Sequence, residues 1–229
     1  MLSPESYQLV IEKFMKSLRD GTLKQGDKIY SEHQLARILG IPRAQVREVY
    51  AALSVLGILY GQQGKGTFLS PADMSQHSKI LYLMTLTAGE NFQDVVTVRR
   101  ILETGGAALA AANRTEEDLS ELFCCAETIE HSQDPQTLTD ADTAFHGILL
   151  RASGNALLHS LFQIVVGYRA RISLPHWRDV IETENESRRR DYIAQHWAIA
   201  HAARDRDGVR LQALLETHFE TLRRDYGIS

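Results

Sequence analysis

The sequence predicts a mainly α-helical protein in two parts. Residues 1–72 read as three helices and a β-hairpin, and residues 73–229 as an all-helical bundle of six or seven helices. Three observations carry this reading. Apolar residues recur at helical spacing through nearly the whole chain. The β-prone runs, Ile58-Leu59-Tyr60 and Thr67-Phe68-Leu69, flank a glycine-rich tip, Gly61-Gln62-Gln63-Gly64-Lys65-Gly66. Charge also changes sign along the chain. Residues 1–72 hold 9 Lys+Arg and 6 Asp+Glu, whereas residues 73–229 hold 16 and 23. A basic front and an acidic back imply two domains with different partners.

In the front part, Val10, Ile11, Phe14, Met15 and Leu18 mark a first helix ending at Asp20-Gly21. Ser31 is a good N-cap for a second, carrying Leu35, Ala36, Ile38 and Leu39 and stopped by Gly40. Pro42 suits the first turn of a third, where its missing N–H costs nothing. That helix runs through Val46, Val49, Tyr50 and Leu53 to Gly57.

Ser70-Pro71-Ala72-Asp73 reads as a linker. Val95, Val98, Ile101, Leu102, Ala108, Leu109 and Ala112 then outline a long amphipathic helix. Leu119, Leu122, Phe123 and Ile129 outline another, closed by Asp134-Pro135. Helices over 138–152 and 157–174 follow, stopped by Ser153-Gly154-Asn155 and Pro175, and two last helices flank Asp207-Gly208.

The composition, 44% hydrophobic and 24% charged over 229 residues, supplies a core and excludes disordered and collagen-like classes. The longest apolar stretch, Ile80-Leu81-Tyr82-Leu83-Met84, is far short of a membrane span, so no membrane partner is expected. No secretory signal is visible, and a cytoplasmic location is expected. Adjacent Cys124 and Cys125 can form neither a disulfide framework nor a C-x-x-C pair, and read as reduced thiols.

Two helices joined by a tight glycine-containing turn form a helix-turn-helix, whose second helix enters the DNA major groove. Arg43 and Arg47, one turn apart, project from one face. Each can bond guanine bidentately or bind phosphate, and the Gln45 amide can read adenine or a backbone oxygen. Lys65 among glycines lets the hairpin tip approach DNA as a wing does. A helical dimerisation module with solvated arginines is the competing reading, and it leaves the ordered combination unexplained. Gly26-Asp27, Ser31-Glu32, Leu35-Ala36, Gly40-Ile41, Arg43, Val46-Arg47-Glu48, Leu53, Gly57 and Gly64-x-Gly66-Thr67 resemble the winged helix of the GntR family of bacterial transcription regulators over residues 6–70. The resemblance implies operator contacts from Arg43, Arg47 and the wing around Gln63-Gly64. His33 replaces an arginine usual in FadR-type members, and Pro42 and Ala44 replace small hydroxyl residues.

In the back part, Asp142 and His146 lie four apart on an expected helix, about 5–6 Å from each other. His196 precedes Asp207 by 11 residues and His218 follows it by 11. If the chain reverses at Asp207-Gly208, both histidines sit roughly 16 Å from the turn, level on antiparallel helices. Three imidazoles and one carboxylate then suit a single metal. On spacing alone, hydrogen-bonded core histidines remain the alternative. His201, about 140° round the helix from His196, should point elsewhere, and His131, His159 and His176 have no comparable partners. Arg188-Arg189-Arg190 reads as a solvated helix face. Arg99 stands in an apolar stripe, where it either pairs with a carboxylate such as Glu103 or forms a fork for a ligand carboxylate.

Asp142-x-x-Phe145-His146, Ser153-Gly154-Asn155, His196-x-x-Ile199, Asp207 and His218 resemble the FCD effector domain of the FadR subgroup. So does Val98-Arg99-x-x-x-Glu103 with Leu109-Ala110-Ala111, and the likeness spans about residues 94–226. It implies a divalent metal, zinc or nickel, on Asp142, His146, His196 and His218, with Arg99 holding the effector's carboxylate. Gln195 stands where the family often has Glu, which bears on support of the metal ligands.

Together these point to a homodimeric, ligand-responsive transcription regulator. It is expected to be a repressor that binds palindromic double-stranded operator DNA under control of a small organic acid. The alternative, a metal-dependent hydrolase with an accessory DNA-binding domain, lacks a convincing general base, Glu103 being a weak candidate, and leaves the winged helix without a purpose.

Overall fold

The computed structural model describes residues 4–71, 92–166, 177–180, 186–225 and 227. The chain divides into two compact units, Met1–Ile80 and Leu81–Ser229.

The first unit contains α1 (Pro4–Arg19), α2 (Glu32–Leu39), α3 (Arg43–Val55), β1 (Leu59–Gln62) and β2 (Gly66–Leu69). Ser31 caps α2 as expected. Its hydroxyl accepts from the Gln34 amide and the Gln34 side chain returns to the Ser31 N–H, satisfying two otherwise orphaned donors. Gly40 ends the helix with φ 67°, a left-handed conformation that glycine adopts without cost. Pro42 is the residue flanking α3 rather than its first helical residue. Strands β1 and β2 pair antiparallel, with Leu59 opposite Leu69 and Gln62 opposite Gly66. Residues 63–65 are therefore the turn. Val10, Leu35, Val46, Val49, Leu53, Leu59 and Leu69 meet in one core, so α3 and the hairpin are seated on the same apolar centre.

The second unit contains α4 (Phe92–Asn113), α5 (Glu116–His131), α6 (Pro135–Ala152), α7 (Ala156–Val166), α8 (Glu186–Arg204) and α9 (Gly208–Asp225). A short helical stretch covers 177–180. The helix expected over 157–174 is described only to Val166, and the expected linker only at Ser70 and Pro71. Asp134-Pro135 opens α6 instead of closing α5. Asp134 accepts from the Thr137 amide and Pro135 sits in the first turn, where a proline loses no hydrogen bond.

Small residues allow the helices to approach closely. Ala107, Ala110 and Ala111 of α4 and Ala200, Ala202 and Ala203 of α8 share a core with Phe145, Leu149, Leu211 and Leu215. Two arginines close helix ends reciprocally. Arg114 donates to the carbonyls of Ala203 and Arg204, and Arg206 to those of Ala111 and Ala112. Each satisfies terminal carbonyls that the helix itself leaves orphaned. The Asp207 side chain accepts from the Arg210 amide, capping α9 and fixing the reversal between α8 and α9.

Arg188 and Arg189 are not a solvated face. Arg188 pairs with Asp179 and Asp225, and Arg189 bonds Gln133 and the carbonyls of Glu130 and Ser132. Among the described residues, no helix is long and apolar enough to cross a membrane.

Candidate functional site

Asp142, His146, His196 and His218 come together inside the helical unit. One ligand atom from each lies within 4.8 Å of the others. All four residues are buried, with 4%, 0%, 0% and 1% exposure. The capped reversal at Asp207 brings His196 and His218 level, with ring centroids 5.0 Å apart, and His146 lies 5.1 Å from His218 and 5.7 Å from His196. His201 turns away, stacking on Trp197 and lying tilted against Phe123.

Every histidine in the cluster has its Nδ1 engaged. His196 Nδ1 donates to the Tyr192 carbonyl at 2.7 Å. His218 Nδ1 donates to Gln195 Oε1 at 2.8 Å. His146 Nδ1 bonds Glu103 Oε2. An imidazole that donates from Nδ1 presents its Nε2 lone pair on the opposite side. Two of these lone pairs face Asp142 Oδ1, from His196 at 3.1 Å and from His146 at 3.4 Å. His146 Nε2 has no hydrogen-bond partner although it is buried. Acceptors facing acceptors are unfavourable in a dry interior unless a cation lies between them. One divalent ion satisfies them together, whereas protons would have to be added ring by ring. Burial lowers the pKa of His146 against the opposing pull of Glu103, which favours the neutral, ligating imidazole. The donor set thus fits a borderline metal with nitrogen and oxygen ligands.

Glu103 pairs with Arg99 as the sequence suggests and Gln195 supports a ligand as expected, whereas the bond from Glu103 to His146 went unseen in the sequence. Glu103 Oε1 receives Arg99 Nε at 2.9 Å, with Arg99 Nη2 also at 2.9 Å, while its other oxygen takes His146. Arg99 also lies over the Phe219 ring, 5.2 Å from its centroid. Glu103 therefore holds the guanidinium through Nε, and the buried Nη2 makes no hydrogen bond of its own. Gln195 has its amide orientation fixed. Its Nε2 donates to Thr221 Oγ1, whose own proton goes to the Thr217 carbonyl, so Oε1 must face His218. A neutral amide here does what a carboxylate would do for tautomer and ring direction, without adding negative charge. Helical spacing explains why Tyr192 supports His196, but Glu103 is 43 residues from His146 and no local pattern connects them.

In the first unit, Arg43, Arg47 and Lys65 are exposed, and Gln63 and Gly64 lie at the tip of the hairpin. Arg43 Nε donates to Glu32 at 3.0 Å. Gln45 is half-buried and accepts from Ser6 of α1, so it anchors α3 rather than facing outward beside the arginines. Lys28 crosses the hairpin base. Gly66 has a φ of 114°, a conformation that glycine adopts without strain, and the flexible end of Lys28 lies beside it.

Comparison with known proteins settles the kind of protein this is. The FCD domain profile matches residues 94–221, and the profile of bacterial regulatory proteins of the gntR family matches residues 6–69. The chain belongs to the GntR family, with an FCD domain. This GntR-family chain is 36% identical to the HTH-type transcriptional regulator LutR of Bacillus subtilis over 149 residues, 65% of this chain and 68% of that one. It is 29% identical over 227 residues to the putative L-lactate dehydrogenase operon regulatory protein of Escherichia coli, covering 92% and 83%. Among solved structures, a GntR protein of Streptococcus agalactiae shares the fold at a TM-score of 0.64 and 24% identity, covering 96% and 99%. The chain is a transcription regulator with a DNA-binding and an effector domain, and the hydrolase alternative is without support. Cys124 and Cys125 take no part in the site. Burial pushes the Cys125 thiol up to about 11, which leaves it protonated and inert.

Proposed function

We propose that the protein is a homodimeric repressor that binds a palindromic operator and is released by a small organic acid held at a zinc or nickel site in the helical domain, in the cytoplasm. We assign residues 1–72 to operator binding and 73–229 to effector binding and dimerisation. The observation that carries the reading is the set of three buried imidazoles whose Nδ1 partners turn their Nε2 atoms toward Asp142.

In this reading Asp142, His146, His196 and His218 hold the ion, which supplies a Lewis-acidic centre for one carboxylate oxygen of the effector. Arg99 offers its guanidinium to the effector's charge, while Glu103 keeps that group in place. Burial of the site excludes water and strengthens these contacts. A relative named for an L-lactate dehydrogenase operon makes small 2-hydroxy acids the first candidates.

Arg43, Arg47, Gln63, Gly64 and Lys65 form the DNA-contacting set, and Gln45 belongs to the seat of α3 on α1. One winged helix reads a half-site, which requires two copies on a palindrome. An effector alters DNA affinity only if it binds the DNA-competent and DNA-incompetent dimers differently. Typical coupling corresponds to about 5–150-fold in operator affinity.

The test is operator affinity with and without metal, across a panel of 2-hydroxy, 2-oxo and dicarboxylic acids. The expected result is a metal-dependent weakening by one acid class, abolished in Arg99→Ala with metal content retained. An equal response in wild type and Arg99→Ala places the effector elsewhere. Operator affinity unmoved when the Arg43→Ala/Arg47→Ala protein remains folded overturns the DNA face.

A further inference from the structure

We propose that Glu32 is a positioning residue for base reading: it fixes Arg43 so that the two Nη groups face one guanine of the operator. The inference rests on the DNA-binding reading above and extends it to a residue outside that contact set.

The recognition helix and the wing flank a cleft of about 560 Å³. Lys28, Arg43 and Lys65 line it, as a face meant for phosphates requires, and Glu32 is the carboxylate among its lining residues. A negative charge on such a face opposes a polyanion and lowers affinity for every sequence. Its geometry offers a compensating purpose. Glu32 Oε2 lies 3.0 Å from Arg43 Nε, and the Arg43 side chain is otherwise exposed, at 66% against 27% for Glu32. The contact uses Nε and leaves both Nη groups, the edge that meets guanine O6 and N7 bidentately. A long, solvated side chain normally loses rotamer freedom when it docks, and holding it beforehand reduces that loss.

The base of this arrangement is rigid. Glu32 is the first residue of α2, directly after the Ser31 capping box, and Arg43 is the first residue of α3. Leu35 and Val46 bury the two helices in the same core. The separation of the two backbone positions that carry carboxylate and guanidinium is therefore set by the helix-turn-helix itself. Glu32 also favours the N-terminus of α2 electrostatically. That role would affect all DNA sequences alike, whereas positioning affects one base pair.

The experiment begins with a randomised duplex library, from which the wild-type protein selects a consensus. Affinities are then measured for the consensus, for single substitutions at each of its guanines, and for a random duplex. In Glu32→Gln, discrimination at one guanine should fall about tenfold, while random-duplex affinity holds or rises because a negative charge has left the face. In an Arg43→Ala background, Glu32→Gln should change discrimination no further. Wild-type discrimination at every guanine in Glu32→Gln overturns the proposal. So does an equal loss on consensus and random duplexes, which marks a folding role. A wild-type protein that selects no consensus refutes the DNA-binding reading itself, and the proposal with it.

Discussion

The histidine cluster and the proposed DNA-contacting face solve opposite problems. The cluster is buried and each imidazole is oriented by a specific partner, Tyr192, Gln195 or Glu103. The face is exposed, and Arg43 is held at 3.0 Å by Glu32 while Arg47 and Lys65 stand in solvent. A small ion cannot reorganise a protein interior, so its donors must be aimed in advance. DNA brings its own dense charge and can draw in flexible cations on arrival. Preorganisation is concentrated where the ligand is smallest.

The comparison breaks most decisively at the ligands. His196→Ala and His218→Ala should each reduce bound metal from about one ion per chain to a small fraction, read by elemental analysis. His201→Ala, whose ring stacks on Trp197, should retain it. Equal metal content in all three would refute the cluster as the binding site.

One layer out, Glu103→Gln should weaken metal binding about 10–100-fold, the usual range for a lost ligand-orienting partner. A competition titration against a chromogenic chelator measures it. Gln195→Glu tests the other support. If Gln195 acts only through the direction of His218, a carboxylate should hold or tighten the metal, and a loss would show that the amide's bond to Thr221 matters more.

At the exposed face the effect should be smaller and of another kind. Lys65→Ala should weaken binding to all sequences and reduce the salt slope by about one unit, as expected for one lost phosphate contact. A loss confined to particular bases would transfer Lys65 to base reading. Ser31→Ala should cost about 1 kcal/mol of stability through the cap of α2, measured by denaturant unfolding.

Acidification separates the regions again. Burial keeps the folded-state pKa of His146 below its ordinary value of 6.5. Below that pH the unfolded chain binds more protons at this position than the folded one, so stability falls as pH falls. Metal-free protein should therefore lose melting temperature from about pH 6.5 downward. His146→Gln should flatten that dependence. An unchanged slope would assign the acid sensitivity to other groups.

Much of this architecture is legible in the sequence. Ser31, Gly40 and the paired β-prone runs determine the front fold through short-range capping, φ preference and strand alternation. The 11-residue spacings around Asp207 placed His196 and His218 side by side because helices rise by a constant amount and the turn is marked by its own cap. Local chemistry was less decisive where one residue had two uses. Asp134-Pro135 served equally as a stop or a start, and the capping bond to Thr137 decided for a start. Only tertiary structure turned Gln45 toward Ser6, engaged Arg188 with Asp225 and Arg189 with the Ser132 carbonyl, and carried the locally paired Glu103 to His146. These contacts span tens of residues and depend on which faces of separate helices meet. Periodicity determines that a face is buried, and packing alone determines what it is buried against.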